Sequence, residues 1–124
     1  APLALESAFN TDRYIDRVVV VGEGHHYLAA LVFPDFGHIR EWAAAKGLAC
    51  RTNREIVAHP EVRKLLEERV ALVNERFARF EQIKKFAILE QSLSIEGGEI
   101  TPTEKLKRRV IAERYRNDID EMYA

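Results

Sequence analysis

Two apolar runs, Ile15 to Val21 and Tyr27 to Phe33, lie on either side of Glu23-Gly24-His25-His26. The first is mostly β-branched, a composition that suits a pleated surface better than a helix, and the polar interval with its glycine is turn material. Together they predict a β-hairpin, so this part of the chain must lie in a sheet. The segments around it then have to cover that sheet.

The flanking patterns are mostly helical. Leu3, Leu5, Ala8 and Phe9 form a short apolar stripe that breaks at Asn10-Thr11-Asp12. Pro34-Asp35 stops the second strand, and Ile39, Trp42, Ala43 and Leu48, with Gly47 near the end, predict a helix over about 35 to 46. Pro60 opens the clearest helix, in which Val62, Leu65, Leu66, Val70, Val73, Phe77 and Phe80 recur at helical spacing through about residue 80. Phe86-Ala87-Ile88-Leu89 reads as a short buried strand, and Leu93 to Ile100, centred on Gly97-Gly98, as a two-residue hairpin. Thr101-Pro102-Thr103-Glu104 matches a capping box with proline at the first helical position, although a cap at Thr103 also fits. The helix it opens would bury Leu106, Val110, Ile111, Tyr115, Ile119 and Met122. With 124 residues and neither repeat nor linker, these elements predict one α+β domain over residues 1–124, a small, mainly antiparallel sheet with flanking helices.

Composition excludes several classes of function. Nineteen Lys and Arg against twenty Asp and Glu give a formal charge of −1, so no global field draws the chain to nucleic acid or an anionic membrane. A single cysteine, Cys50, rules out an internal disulfide framework and suits the reducing cytoplasm. No apolar run is long enough to span a bilayer, and no signal peptide is visible. The chain starts at Ala1 within a helical pattern, as a piece of a longer polypeptide would.

Few residues carry a chemical pattern. His25 and His26 are adjacent in a turn, while His38 and His59 stand alone, so spacing offers no metal site. Gly22-Glu23-Gly24 lacks the third glycine and the strand-to-helix context of a dinucleotide loop. No serine or cysteine has a recognisable nucleophile context. Glu104-Lys105-Leu106-Lys107-Arg108-Arg109 is different: four of its six positions are cationic, in what reads as the first turns of a helix, where the macrodipole favours acids. A solvated basic face, a docking helix or a nucleic-acid contact would each account for it on residues alone, the last disfavoured by the neutral net charge.

Gly98-Glu99-Ile100-Thr101-Pro102-Thr103-Glu104-Lys105-Leu106-Lys107-Arg108-Arg109-Val110-Ile111 resembles the closing motif of AMP-forming acyl-CoA ligases, the adenylate-forming superfamily that includes luciferases and peptide-synthetase adenylation domains. The long-chain fatty-acid branch matches best. Its other marks appear in order: Tyr14-Ile15 before the Val18–Val21 strand, Tyr27 to Val32, Pro34-Asp35, Phe80 to Phe86, and Ile119 with Tyr123. The resemblance implies the C-terminal lid domain of such an enzyme. Lys105 falls where the family keeps its adenylation lysine, and Arg108-Arg109 on the basic pair that follows it. Many members have glycine directly before the lysine, where this chain has Glu104, a departure common in the long-chain branch. The resemblance further implies that a large N-terminal domain of the same polypeptide binds most of the fatty acid, ATP, Mg2+ and coenzyme A. The chain alone is then expected to hold no cofactor and to be inactive. It also implies no nucleic-acid partner and no transmembrane segment, while peripheral membrane association of the parent enzyme stays open. The alternative reading is a non-catalytic interaction module that uses the basic C-terminal helix.

Overall fold

One strand organises the molecule because both of its faces are buried. In the computed structural model, which describes residues 2–124, a three-stranded sheet runs in the order β1 (Ile15–Val21), β2 (Leu28–Pro34), β3 (Ile83–Ile88). β1 and β2 form the antiparallel hairpin expected from the two apolar runs, with Val18 opposite Val32 and Val20 opposite Ala30. β3 adds to the other side of β2 in parallel, so the sheet is mixed within an α+β architecture. A parallel neighbour requires a long crossover. Residues 35–82 supply it with α2 (Phe36–Ala45), α3 (Asn53–Ala58) and α4 (Pro60–Asn74).

The continuous apolar run of β2 follows from its double burial. Ala30 and Val32, with Val18 and Val20, face a first core made with Leu5 of α1 (Pro2–Ser7), Phe9, Ile39, Ile56 and the Val62, Leu66, Val70 and Val73 stripe of α4. Ala29, Leu31 and Phe33, with Val19, face a second core. It is closed by Leu89, by Ile111 of α5 (Arg108–Arg114), by Met122 of α6 (Arg116–Tyr123), and by Tyr115 between those two helices. No helix among the described residues is long and apolar enough to cross a membrane.

Four local features differ from the sequence expectation, each for an identifiable reason. The α4 helix stops at Asn74 rather than near residue 80, because the Asn74 side chain pairs with both backbone groups of Ile83, Oδ1 accepting from its N–H at 2.9 Å and Nδ2 donating to its carbonyl at 3.0 Å. Phe77 is therefore only half-buried, and Phe80 is 81% exposed instead of belonging to the core. Helix α3 escaped the periodicity test, since it has six residues and a single buried one, Ile56. Its start is nonetheless written in the sequence as a capping box, Thr52 Oγ1 accepting from Glu55 N–H while the Glu55 carboxylate accepts from Thr52 N–H. No strands form around Gly97-Gly98; Gly98 takes its positive φ of 77° in a turn closed by Glu99 N–H donating to Ser94 O. The last helix begins at Arg108 and is broken at Tyr115, instead of running unbroken from Thr101 or Thr103.

Three of the four histidines have contacts within the fold. His59 caps α4 by accepting from Glu61 N–H through Nδ1 at 3.1 Å. His38 Nδ1 lies 3.0 Å from Asp35 Oδ2. The His25 ring stacks on Tyr123 at 3.6 Å between centroids with 9° between planes, fastening the hairpin turn to the C-terminus.

Two stability predictions follow from this packing. Val70 is 4% exposed in the first core, so Val70→Asp buries an unpaired charge at a cost of several kcal/mol and should abolish the cooperative melting transition, while Phe80→Asp should leave it in place. An unchanged melting temperature in the Val70 variant would refute the register of α4. The second prediction concerns Tyr115, whose phenol is pushed from 10.0 up to about 12 by burial and by the Glu99 carboxylate beside it. Because the folded value lies above the unfolded one, the neutral phenol contributes its full stabilisation below pH 10 and loses it as pH rises toward about 12. Urea titrations between those limits should show a steeper loss for the wild type than for Tyr115→Phe.

Candidate functional site

The segment from Glu99 to Lys107 forms a narrow ribbon rather than a helix. Ile100 and Leu106 make an antiparallel bridge, Lys107 N–H donates to Glu99 O at 2.8 Å, and Thr101 N–H donates to Lys105 O at 2.8 Å. Pro102, Thr103 and Glu104 are the loop between the paired Thr101 and Lys105. Glu104 N–H donates to Thr101 O at 2.7 Å, and Lys105 N–H to Thr101 Oγ1 at 3.0 Å. A three-residue hairpin loop puts its last residue in the left-handed region, and Glu104 has φ 63°. The Thr-Pro-Thr-Glu signature is ambiguous in this respect. Proline's fixed φ suits the second position of a turn as well as the first position of a helix, and here Leu106, drawn into the second core, settles the turn.

This ribbon places Lys105 on the wall of an open groove of about 1150 Å³ that follows the outer edge of β1. Leu3, Glu6, Val21, Arg109 and Ile119 also line it, but Lys107 does not. Lys105 has its backbone fixed on both sides, while its exposed side chain has no hydrogen bond or ion pair among the described residues. A cation so placed is available to a ligand from outside the chain.

Three ion pairs hold the surroundings, two of them with a buried carboxylate. Glu6, 7% exposed, accepts from Val20 N–H at 2.7 Å and from both terminal nitrogens of Arg108, at 2.9 and 2.5 Å. The carboxylate in turn raises the Arg108 pKa, keeping the guanidinium charged. Glu99, 3% exposed, accepts from Ser94 N–H and the Tyr115 hydroxyl, and pairs with Arg114 at 3.1 Å. Arg17, from β1, donates to Glu104 O at 3.1 Å and lies 3.8 Å from its carboxylate.

The structure revises the basic segment. Lys105 and Lys107 precede α5, so the unfavourable cluster of cations in a helical first turn is reduced to Arg108 and Arg109, and Arg108 is engaged by Glu6. Lys105 and Lys107 therefore lie outside the helix in which the sequence reading placed them. Glu6, Glu99 and Arg17 were missed in the sequence. Only Glu6 carried a signal, being an acid three residues before Phe9 on the apolar side of α1.

Comparison with known proteins bears on the family and the fold. The family described as AMP-binding enzyme C-terminal domain matches residues 1–124. The long-chain-fatty-acid–CoA ligase FadD15 of Mycobacterium tuberculosis is 29% identical over 124 residues, covering 99% of this chain and 21% of that protein. Human long-chain-fatty-acid–CoA ligase 1 is 31% identical over 127 residues, covering 100% of this chain and 18% of that protein. The chain thus spans about a fifth of the length of these relatives. Among solved structures, the A-PCP didomain of a carboxylic acid reductase from Segniliparus rugosus, in complex with AMP, superposes with a TM-score of 0.74 at 22% identity, covering 99% of this chain and 16% of that one. That likeness shows a shared fold, and by the extent of the family match the chain belongs to the AMP-binding enzyme C-terminal domain family.

Proposed function

We propose that this chain is the lid domain of an ATP-dependent long-chain fatty-acid–CoA ligase and that Lys105 is its adenylation lysine. The observation that carries the reading is the placement of Lys105, with a fixed backbone and an unpartnered ammonium on the wall of the groove. In the reaction a fatty carboxylate attacks the α-phosphate of ATP to give acyl-adenylate and pyrophosphate, after which the coenzyme A thiol displaces AMP. A lysine offers a compact charge with three donors, suited to bridging carboxylate and α-phosphate oxygens as charge develops between them. Its flexible stem reaches into a site formed when the lid closes on a large domain and leaves when the lid turns for thioester formation.

Under this reading the large N-terminal domain of the same polypeptide contributes the nucleotide and acyl pockets, and the parent enzyme works in the cytoplasm. Among the described residues, no group of three or more His, Cys, Asp or Glu side chains could hold a metal ion. This reading assigns no residue of this chain to the magnesium that accompanies ATP.

Two measurements test the proposal. The purified chain with ATP, magnesium, palmitate and coenzyme A should release no AMP above a blank; release would overturn the reading of an incomplete catalytic unit. In the full-length enzyme Lys105→Ala should slow adenylation by at least ~10²-fold, the scale of losing one preorganised donor, and spare thioester formation from supplied acyl-adenylate. Lys107→Ala is the control, because Lys107 carries the same charge two residues away and lies outside the groove lining. Equal damage from both substitutions, or equal loss in both half-reactions, would remove the specific role of Lys105.

A further inference from the structure

We propose that Arg17 is a positioning residue for Lys105, acting by holding the left-handed turn at Glu104. This inference rests on the lysine role proposed above. Glu104 is the only residue other than glycine with positive φ among the described residues, at 63°. A side chain is disfavoured in that conformation, because its Cβ crowds the following carbonyl, and glycine alone adopts it without that penalty. The peptide bond after Glu104 carries the Lys105 amide, so the conformation at Glu104 sets the direction in which Lys105 leaves the loop.

The rest of the ribbon is anchored from within. Thr101 N–H donates to Lys105 O while Thr101 Oγ1 accepts from Lys105 N–H, Leu106 packs into the second core, and Glu99 O accepts from Lys107 N–H. Among the described residues the loop tip has a single polar tie to the sheet: the Arg17 guanidinium on the Glu104 carbonyl at 3.1 Å, with the Glu104 carboxylate at 3.8 Å. The Arg17 side chain is only 26% exposed, whereas that of Glu104 is 73% exposed. The more buried partner is therefore the one on the strand. Arg17 directly follows an irregularity in β1, where the register slips between Ile15 and Arg17. Arg17 and Glu104 are 87 residues apart in sequence, so the tie joins the N-terminal hairpin to the lysine loop.

If Arg17 serves to stabilise a turn that glycine would adopt unaided, replacing Glu104 by glycine should make Arg17 dispensable. The experiment is a double-mutant cycle in the full-length enzyme with Arg17→Met, which keeps most of the apolar stem, and Glu104→Gly. Arg17→Met should lower kcat for adenylation by ~10-fold, the scale of a modest misplacement, with KM for ATP and fatty acid and the rate of thioester formation near wild type. Glu104→Gly alone should be close to wild type, and in its background Arg17→Met should cost less than ~2-fold. Amide exchange at Glu104 and Lys105 in the purified chain should quicken in Arg17→Met while the melting temperature stays within a few degrees. An equal loss in both backgrounds would overturn the proposal and assign Arg17 a direct contact with substrate. No loss in Arg17→Met, or equal losses in both half-reactions, would overturn it as well. The two readings fail separately: normal adenylation in Lys105→Ala sinks the lysine role, whereas a Lys105→Ala defect without an Arg17→Met defect sinks only this inference.

Discussion

The architecture depends on β2, a strand with no face left for water. Alternate residues of a strand point to opposite sides, so Ala30 and Val32 need cover on one side of the sheet, and Ala29, Leu31 and Phe33 on the other. The helices before and within the crossover cover the first side. The second is left to the C-terminal segment, through Leu89, Ile111, Tyr115 and Met122. The segment that carries the lysine loop is thus an obligatory part of the core, not an appendage. Burying that side of the sheet and presenting Lys105 are two results of one packing event.

Electrostatics then refine what burial has placed. The Glu6 carboxylate receives a strand amide and an arginine from α5, at a sequence separation of 102 residues from the arginine. Such a pair contributes little net stability compared with apolar packing, but removing one partner leaves a buried charge unmet. Its value is in register: it fixes where α5 begins relative to β1, and hence where the preceding loop emerges. Glu99 serves the other strand of the ribbon in the same way, through Ser94, Tyr115 and Arg114.

How much of this was legible in the sequence follows from the range of each interaction. The Ile15–Phe33 hairpin, α2 and most of α4 were readable, because their periodicity reports burial directly. The parallel addition of β3 was not, since strand order depends on contacts across the whole crossover. Helix α3 was too short for periodicity, though its capping box stood in plain view at Thr52 and Glu55. The Thr101–Glu104 stretch was misassigned because its residues satisfy two local structures equally well, and the choice was made by Leu106 and the core. The role proposed for Lys105 rests on motif resemblance and not on sequence physics, as a single exposed lysine carries no pattern. Arg17 and Glu99 could not be found at all, their partners being brought to them only by the fold.

A three-stranded sheet also has two open sides, and an unpaired strand edge is a template for aggregation. In this chain side chains occupy both. On β1 the Val20 amide is taken by Glu6 and an irregular register precedes Arg17. On β3 the amide and carbonyl of Ile83 are both taken by Asn74, the Phe86 carbonyl accepts from Arg63, and Lys84 and Lys85 stand exposed between them. The side chains that pair with β1 and terminate α4 therefore also occupy hydrogen-bonding positions that an added strand would need to extend the sheet.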